Sequence, residues 1–315
     1  MGRKERARGE SNDLARQLID KEGPLTPAAL EQLRRYSGYG GLYDYNLGQF
    51  YTPGPVAQFV VDLLGIEPGT DVLEPSAGRG VLLEYLPEDC RKVAVEIDRT
   101  AARICQLLHP SAQVICAPFE EAAIPGLFDY VIGNPPYGLD MVAELPWESG
   151  KRRKTSSEAY FLLQCLGLLK PGGTLAFVLP ESILAGDKYR DLRKWVMENY
   201  MLKGVVSLPT QTFAATGTTV KTSVLVIQRE PEWFVRPEDS GDFKVLVAMA
   251  TEIGWDSRGR KTDKNDLPQL LAEFRKFRAT EWEDQLQRGR KVVPISEPAL
   301  LSKRRGDTEQ FMLAI

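Results

Sequence analysis

From Asp71 onward, short apolar runs alternate with amphipathic stretches, and this alternation narrows the possible folds more than any other feature of the chain. Strands are expected at Asp71–Leu73, Lys92–Glu96, Gln113–Cys116, Asp129–Ile132, Thr174–Leu179, Gly204–Ser207 and Ser223–Gln228. Between them the spacing predicts helices near Leu82–Tyr85, Thr100–Leu108, Ser156–Leu169 and Tyr189–Asn199. In the third, Leu162, Cys165, Leu166 and Leu169 form an i, i+3, i+4, i+7 stripe. Lys170-Pro-Gly-Gly173 reads as a helix stop feeding the next strand. Strands interleaved with helices imply an α/β fold, a doubly wound and mostly parallel seven-stranded sheet. Such sheets bind ligands beyond the carboxyl ends of their strands, and the informative loops lie at those ends.

The flanks differ. Residues 1–12 are charged and poor in apolar side chains, so a frayed start is expected. Leu14, Leu18 and Ile19 recur at helical spacing from Asp13 to Lys21. Thr26 as N-cap and Pro27 at the first helical position open a second helix that carries Leu30 and Leu33 and stops before Gly38. The glycine run Tyr36–Leu42 has no strand before it and reads as a turn. Gln49-Phe-Tyr-Thr-Pro53 leads into a helix with Val56, Phe59, Val60, Leu63 and Leu64 on one face. After Gln228 come an acidic, proline-containing connection (Glu230–Asp242), a strand at Phe243–Ala250 and a helix capped by Asp266. The tail is basic at Arg288–Lys291 and Lys303–Arg305.

Composition excludes several chemistries. The chain has one histidine, His109, which argues against a Ser-His-Asp hydrolase or a multi-histidine metal enzyme. Its four cysteines, Cys90, Cys105, Cys116 and Cys165, have no C-x-x-C spacing, so reduced thiols are expected and no metal site. No apolar run reaches the length of a membrane span, and Met1-Gly-Arg-Lys-Glu-Arg-Ala-Arg8 lacks a signal-peptide core. A cytoplasmic protein with no membrane partner is expected. The net charge of −3 leaves any nucleic-acid contact to local patches.

Two loops carry chemistry. Val72-Leu-Glu-Pro-Ser-Ala-Gly-Arg-Gly80 is a strand followed by small residues, where Gly78 and Gly80 allow close backbone approach and a helix N-terminus favours anionic groups. Leu83 stands where a dinucleotide loop wants its third glycine. The next strand ends in Val95-Glu96-Ile-Asp98, and an acidic side chain there suits the two hydroxyls of a ribose. A nucleoside without pyrophosphate fits both features, and S-adenosylmethionine is the obvious candidate. The second loop is Val131-Ile-Gly-Asn-Pro-Pro-Tyr137. Consecutive prolines stop the strand and remove two N–H groups. An Asn amide oxygen and a Pro carbonyl are then held beside the face of Tyr137, a receptor for a planar molecule bearing an NH₂ group.

The order Phe50-Tyr-Thr-Pro53, Glu74–Gly80, Val95–Asp98 and Asn134–Tyr137 resembles the methyltransferases that modify adenine N6 in DNA. It is most similar to the methylation subunits of type I restriction–modification systems and their fused relatives. Leu208-Pro-Thr-Gln-Thr-Phe213, Thr216–Val224, Thr251–Arg260 and Asn265–Pro268 strengthen the likeness. The resemblance implies three parts: an N-terminal helical segment (1–48), a catalytic domain (49–229) and a C-terminal extension (230–315). The extension is short for a target-recognition domain, so a specificity subunit or a fused recognition domain is the implied partner beside DNA.

The resemblance also implies roles for individual residues. Thr52 would meet the amino-acid end of the cofactor, with Phe50 or Tyr51 packed near it. Glu74, Ser76, Ala77, Gly78 and Gly80 would shape the methionine pocket, and Glu96 with Ile97 would hold the nucleoside. Asn134 and the Pro135 carbonyl would hold the adenine amino group, within the Asn134-Pro135-Pro136-Tyr137 motif, with Tyr137 on one ring face and Phe213 on the other. Pro118 departs from the pattern, because the family carries an aspartate there, and Glu120 or Glu121 is left to substitute. Lys151, Arg152, Arg153 and Lys154 follow the motif and read as phosphate contacts, as does Lys221. An RNA adenine methyltransferase, a protein glutamine N-methyltransferase and a catalytically weak DNA-binding assembly subunit stay as alternatives.

Overall fold

The computed structural model describes residues 3–21, 23–38, 50–148, 151–216, 218–232, 244–282 and 300–301. The expectations for Tyr39–Gln49, most of Glu230–Asp242, Phe243 and the basic segments Arg288–Lys291 and Lys303–Arg305 lie outside the described residues.

Thirteen strands are described: β1 (Asp71–Glu74), β2 (Arg91–Glu96), β3 (Gln113–Cys116), β4 (Phe128–Gly133), β5 (Asp140–Glu144), β6 (Arg152–Ser156) and β7 (Leu169–Pro180) lead the series. Then follow β8 (Met201–Ser207), β9 (Thr222–Gln228), β10 (Val245–Met249), β11 (Ile253–Trp255), β12 (Lys261–Asn265) and β13 (Leu300–Leu301). Strands β5–β6 and β11–β12 are hairpins, and the other nine form one sheet in the order β13-β10-β8-β9-β7-β4-β1-β2-β3. From β3 to β7 every pairing is parallel. Strand β9 runs antiparallel to both of its neighbours, β7 and β8. All seven expected strands are therefore present and adjacent. The sheet is larger than expected, because β10 joins β8 in parallel and β13 pairs with β10. Val245 and Leu246 are buried there, so the chain after Gln228 completes the same core.

The helices are α1 (Arg3–Ile19), α2 (Pro27–Arg34), α3 (Gly54–Leu64), α4 (Arg99–Leu108), α5 (Ser157–Gly167), α6 (Ser182–Ala185), α7 (Arg190–Asn199) and α8 (Leu267–Phe277). Alternate side chains of the strands serve opposite faces of the sheet. Val72, Ile132 and Ala176 pack with α3 and α8 on one face, while Leu73, Val131 and Leu175 pack with α5 and α7 on the other. Burial on both faces explains why these strands read as continuous apolar runs. A third cluster joins α1 and α2 to α4 through Ala15, Leu33 and Ile104.

Local expectations fared unevenly. Thr26 caps α2 by accepting from the Ala29 N–H at 3.3 Å. Where a frayed segment was expected, the described residues are helical: α1 begins at Arg3, well before Asp13. The predicted helix near Leu82–Tyr85 is absent. Gly78 and Gly80 adopt φ of 57° and 83°, Pro87 follows soon after, and between them only a 3₁₀ turn forms at Leu83–Tyr85. Lys170–Gly173 does not stop the chain before a strand but lies inside β7, where Leu169 already pairs with Phe128. Asp266 does not cap α8 with its side chain. Its Oδ2 instead accepts from the N–H groups of Thr251 and Glu252, at 2.8 and 3.0 Å. Among the described residues, no helix is long and apolar enough to cross a membrane.

Candidate active site

Parallel pairing brings the two chemical loops together. Glu74 lies beside Ala94 in the register of β1 and β2, while Leu73 lies beside Val131 of β4. The carboxyl ends of β1, β2 and β4 are thus neighbours, and the loops leaving them open into a cavity of about 400 Å³. Of the residues singled out in the sequence, Phe50, Tyr51, Thr52, Glu74, Ser76, Ala77, Gly78, Glu96, Ile97, Glu120, Asn134 and Pro136 line it.

The loop after β1 is docked on β2. Ala77 N donates to Val95 O at 2.9 Å, and Gly78 N donates to Glu96 Oε2 at 2.6 Å. The other Glu96 oxygen accepts from Asp98 N at 2.8 Å. Asp98 itself caps α4, accepting from Thr100 N at 2.7 Å and Ala101 N at 3.1 Å. Burial pushes the Glu96 carboxyl up to about 7 against the two N–H donors that pull it down. Glu74 is held well above the usual carboxylate range by burial and then by the charge of Glu96. Among the described residues its buried Oε2 has no hydrogen-bond partner, an acceptor or acid left over at the cavity wall. Tyr51 closes the floor: a Cβ on Gly78 would stand 2.7 Å from its ring. Tyr36 meets Tyr51 edge-on, with centroids 6.2 Å apart. His109 lies behind Gly80, where burial and then the Lys92 charge push it down to about 4. It is neutral at physiological pH and lies away from the cavity lining.

Asn134 is oriented from the far side of the cavity. Its Nδ2 donates to Phe50 O at 2.9 Å, which turns Oδ1 toward the Tyr137 hydroxyl that donates to it. The same hydroxyl lies 3.0 Å from Val178 O. One hydrogen therefore has two acceptors. Burial, and next the charge of Glu158, hold the Tyr137 phenol well above its usual range, so it stays a donor.

Several expected residues are not brought to the cavity. Gly80, Pro135 and Tyr137 lie beside it without lining it. Phe213 is 1% exposed and packs in the core with Val206 and Leu208, because the 3₁₀ segment Thr210–Thr216 turns it inward. Lys221, just before β9, pairs with Glu181 at 3.2 Å. Lys151, Arg152, Arg153 and Lys154 are exposed, but the last three stand on strand β6 of the β5–β6 hairpin and only Lys151 lies in the connection before it. Arg153 there pairs with Glu148 at 2.6 Å. Glu121 does not line the cavity, whereas Glu120 does.

The sequence reading missed an apolar wall. Leu139, Met141, Phe119 and Phe161 also line the cavity, and the last two rings stack at 4.7 Å with planes 18° apart. Phe119 stands one residue after Pro118, so a ring surface occupies the place where the usual carboxylate was sought. Phe161 adjoins the helical stripe that pointed to Leu162, and only the packing of α5 shows that it reaches the cavity.

Comparison with known proteins agrees with this geometry. The family model for N-6 DNA methylases matches residues 111–287, more than half of the chain. Defense against restriction protein B of Escherichia phage P1 is 35% identical over 238 residues, covering 72% of this chain and 10% of that protein. The type II methyltransferase M.TthHB8I of Thermus thermophilus is 32% identical over 169 residues, covering 48% of this chain and 39% of that one. The chain thus spans well under half the length of these relatives. The solved methyltransferase subunit of a type I restriction–modification system from Streptococcus thermophilus has the same fold, with a TM-score of 0.60 at 22% identity over 81% of this chain and 59% of that one.

Proposed function

We propose, from the premise that this chain belongs to the N-6 DNA methylase family, that it transfers a methyl group from S-adenosylmethionine to the N6 amino group of adenine in DNA. The carrying observation is the convergence of Glu74, Glu96 and Asn134 on one cavity at the carboxyl ends of adjacent parallel strands.

The residues present fit the cofactor. The carboxylate of Glu96 would accept from ribose hydroxyls, and the orphaned Glu74 Oε2 would meet a donor of the amino-acid end, with Thr52 beside it. Ile97, Phe119 and Phe161 supply an apolar surface for the adenine of the cofactor, with Glu120 at its edge. When bound, S-adenosylmethionine supplies an activated methyl group on sulfonium sulfur.

The work of the chain is placement. The lone pair of an aromatic amino nitrogen is delocalised into its ring. Acceptors at Asn134 Oδ1 and the Pro135 carbonyl favour the form in which that pair is localised toward the methyl donor. Such catalysis rests on positioning and electrostatics rather than on a strong base, which suits a site whose one nearby imidazole is buried and neutral. Asn134 is ready for this: the Phe50 carbonyl holds its amide orientation, and the Tyr137 hydroxyl can turn to Val178 O when Oδ1 accepts an amino hydrogen. In a duplex the base must leave the stack, at a cost of a few kcal/mol. Stacking contributes about 1–3 kcal/mol per base, and the ring of Tyr137, next to Pro136 at the cavity, would return part of it if the flipped base reaches its face. The exposed Lys151, Arg152 and Lys154 would contact phosphates. Sequence selection would come from a specificity subunit or a fused recognition domain, in the manner of a restriction–modification system.

The test is transfer of labelled methyl to unmethylated DNA, with Asn134→Ala as control. Label recovered as N6-methyladenine, and lost in the variant, supports the proposal. Label in protein or RNA but not in DNA refutes it.

A further inference from the structure

The Asn134–Tyr137 motif cannot hold its own shape. Pro135 and Pro136 have no N–H to donate, and Gly138 turns the chain through a φ of 71°. A loop of this kind needs external partners for its remaining backbone groups. Two consecutive side chains at the start of α5 provide them. Ser157 Oγ donates to Pro136 O at 2.7 Å and accepts from Leu139 N at 3.1 Å. Glu158 Oε2 accepts from Gly138 N at 2.8 Å. The backbone N–H of Ser157 donates to Leu139 O at 2.8 Å. The other Glu158 oxygen accepts from the Tyr189 hydroxyl at 2.5 Å, and that hydroxyl lies 2.9 Å from Ser156 Oγ.

Ser157 and Glu158 are 0% and 3% exposed, and neither lines the cavity. A carboxylate this deep is costly unless fully hydrogen-bonded. Its two oxygens serve the Gly138 N–H and the Tyr189 hydroxyl, and an apolar residue of similar size would leave both donors unmatched. Its bonds go to the residue that follows the motif and to Tyr189, which ties the loop to the segment before α7.

We infer that Glu158 and Ser157 are positioning residues for the reaction, a clamp behind the motif that fixes the Asn134 and Pro135 acceptors relative to the cavity. The inference deepens the proposed function and rests on it for the nature of the reaction. The clamp itself concerns the loop alone and is open to a separate measurement.

The experiment compares wild type with Glu158→Ala, Glu158→Gln and Ser157→Ala in two assays. Hydrogen exchange reads the Gly138 and Leu139 amides directly. Steady-state methyl transfer and calorimetric titration with S-adenosylmethionine read kcat, KM and cofactor affinity. Removing the clamp is expected to speed exchange at Gly138 about tenfold or more. It should lower kcat by about 10- to 100-fold, in the range for a reacting group misplaced by about 1 Å, with cofactor affinity within about twofold of wild type. Glu158→Gln keeps one acceptor oxygen and should recover part of both losses. If Glu158→Ala does not fold, the Gln and Ser157→Ala variants carry the comparison. Unchanged exchange, or faster exchange with unchanged kcat, overturns the inference. So does a parallel loss of cofactor affinity, which would mark a general loosening of the site. A wild-type protein that binds S-adenosylmethionine and labels protein or RNA but not DNA refutes the proposed function, while exchange at Gly138 still decides whether the clamp exists.

Discussion

Gly78 and Gly69 allow the cofactor loop to be tested by a matched pair of substitutions. Both have positive φ, 57° and 80°. They differ in surroundings: an added Cβ at Gly69 meets nothing within 4 Å, whereas at Gly78 it stands 2.7 Å from Tyr51 Cε1. An alanine in the left-handed region costs about 1–2 kcal/mol at either place. At Gly78 the Tyr51 ring must also move, and it is packed against Tyr36, so overpacking adds about 1–3 kcal/mol. Gly69→Ala should therefore lose about 1–2 kcal/mol and Gly78→Ala about 2–5 kcal/mol. Urea denaturation would measure both, with a common slope as the check that the unfolded states match. Calorimetric titration with S-adenosylmethionine should show weaker binding only in Gly78→Ala, since its N–H anchors Glu96 at 2.6 Å. Equal stability losses in the two variants would refute the claim that Tyr51 forms a rigid floor, and equal affinities would refute the placement of the cofactor there.

The remaining predictions concern charge and packing. Glu96 titrates near 7 when the cavity is free of cofactor, and ribose hydroxyls need its carboxylate form. Cofactor affinity should thus rise with pH by up to about tenfold per unit from pH 5 and level off above 7; a flat profile would remove Glu96 from the nucleoside contact. The same carboxyl lies above its unfolded value of 4.5, so its contribution to stability is most favourable below 4.5 and declines as pH rises toward 7. Phe213→Ala should lose about 3–5 kcal/mol as a core truncation, whereas Phe213→Leu should keep kcat. A folded Phe213→Leu without activity would restore the stacking role that its burial argues against. Replacing Lys151, Arg152 and Lys154 by alanine should reduce the salt dependence of DNA binding by about 0.9 in log–log slope per lost phosphate contact, and an unchanged slope in anisotropy titrations would clear the hairpin of that role.

Much of this protein was legible before any coordinates, and for a local reason. Apolar runs buried on both sheet faces declare themselves by composition, and Thr26 as a cap needs only the residues that follow it. The motif Asn134–Tyr137 could be placed after a strand because two prolines forbid strand and helix alike. Where neighbours in space compete with neighbours in sequence, local reading failed. Gly80 to Pro87 has helical residue types, yet the positive φ of two glycines and the docking of the loop on β2 leave it a single 3₁₀ turn. Lys170–Gly173 looks like a break, yet pairing with β4 carries the strand through its beginning.

The sequence by itself determined the seven central strands, the order of their loops and the acidic and amide groups at the loop tips, since these follow from periodicity and from what proline, glycine and carboxylates permit. Only the tertiary structure decided which aromatic rings face the cavity. Phe161 and Phe119 do, and Phe213 does not, because the direction of each ring is set by how its element packs against residues distant in the sequence. It also decided that Ser157 and Glu158 stand behind the motif. A buried carboxylate has no signature of its own in the chain, and its meaning comes from the backbone groups that folding brings to it.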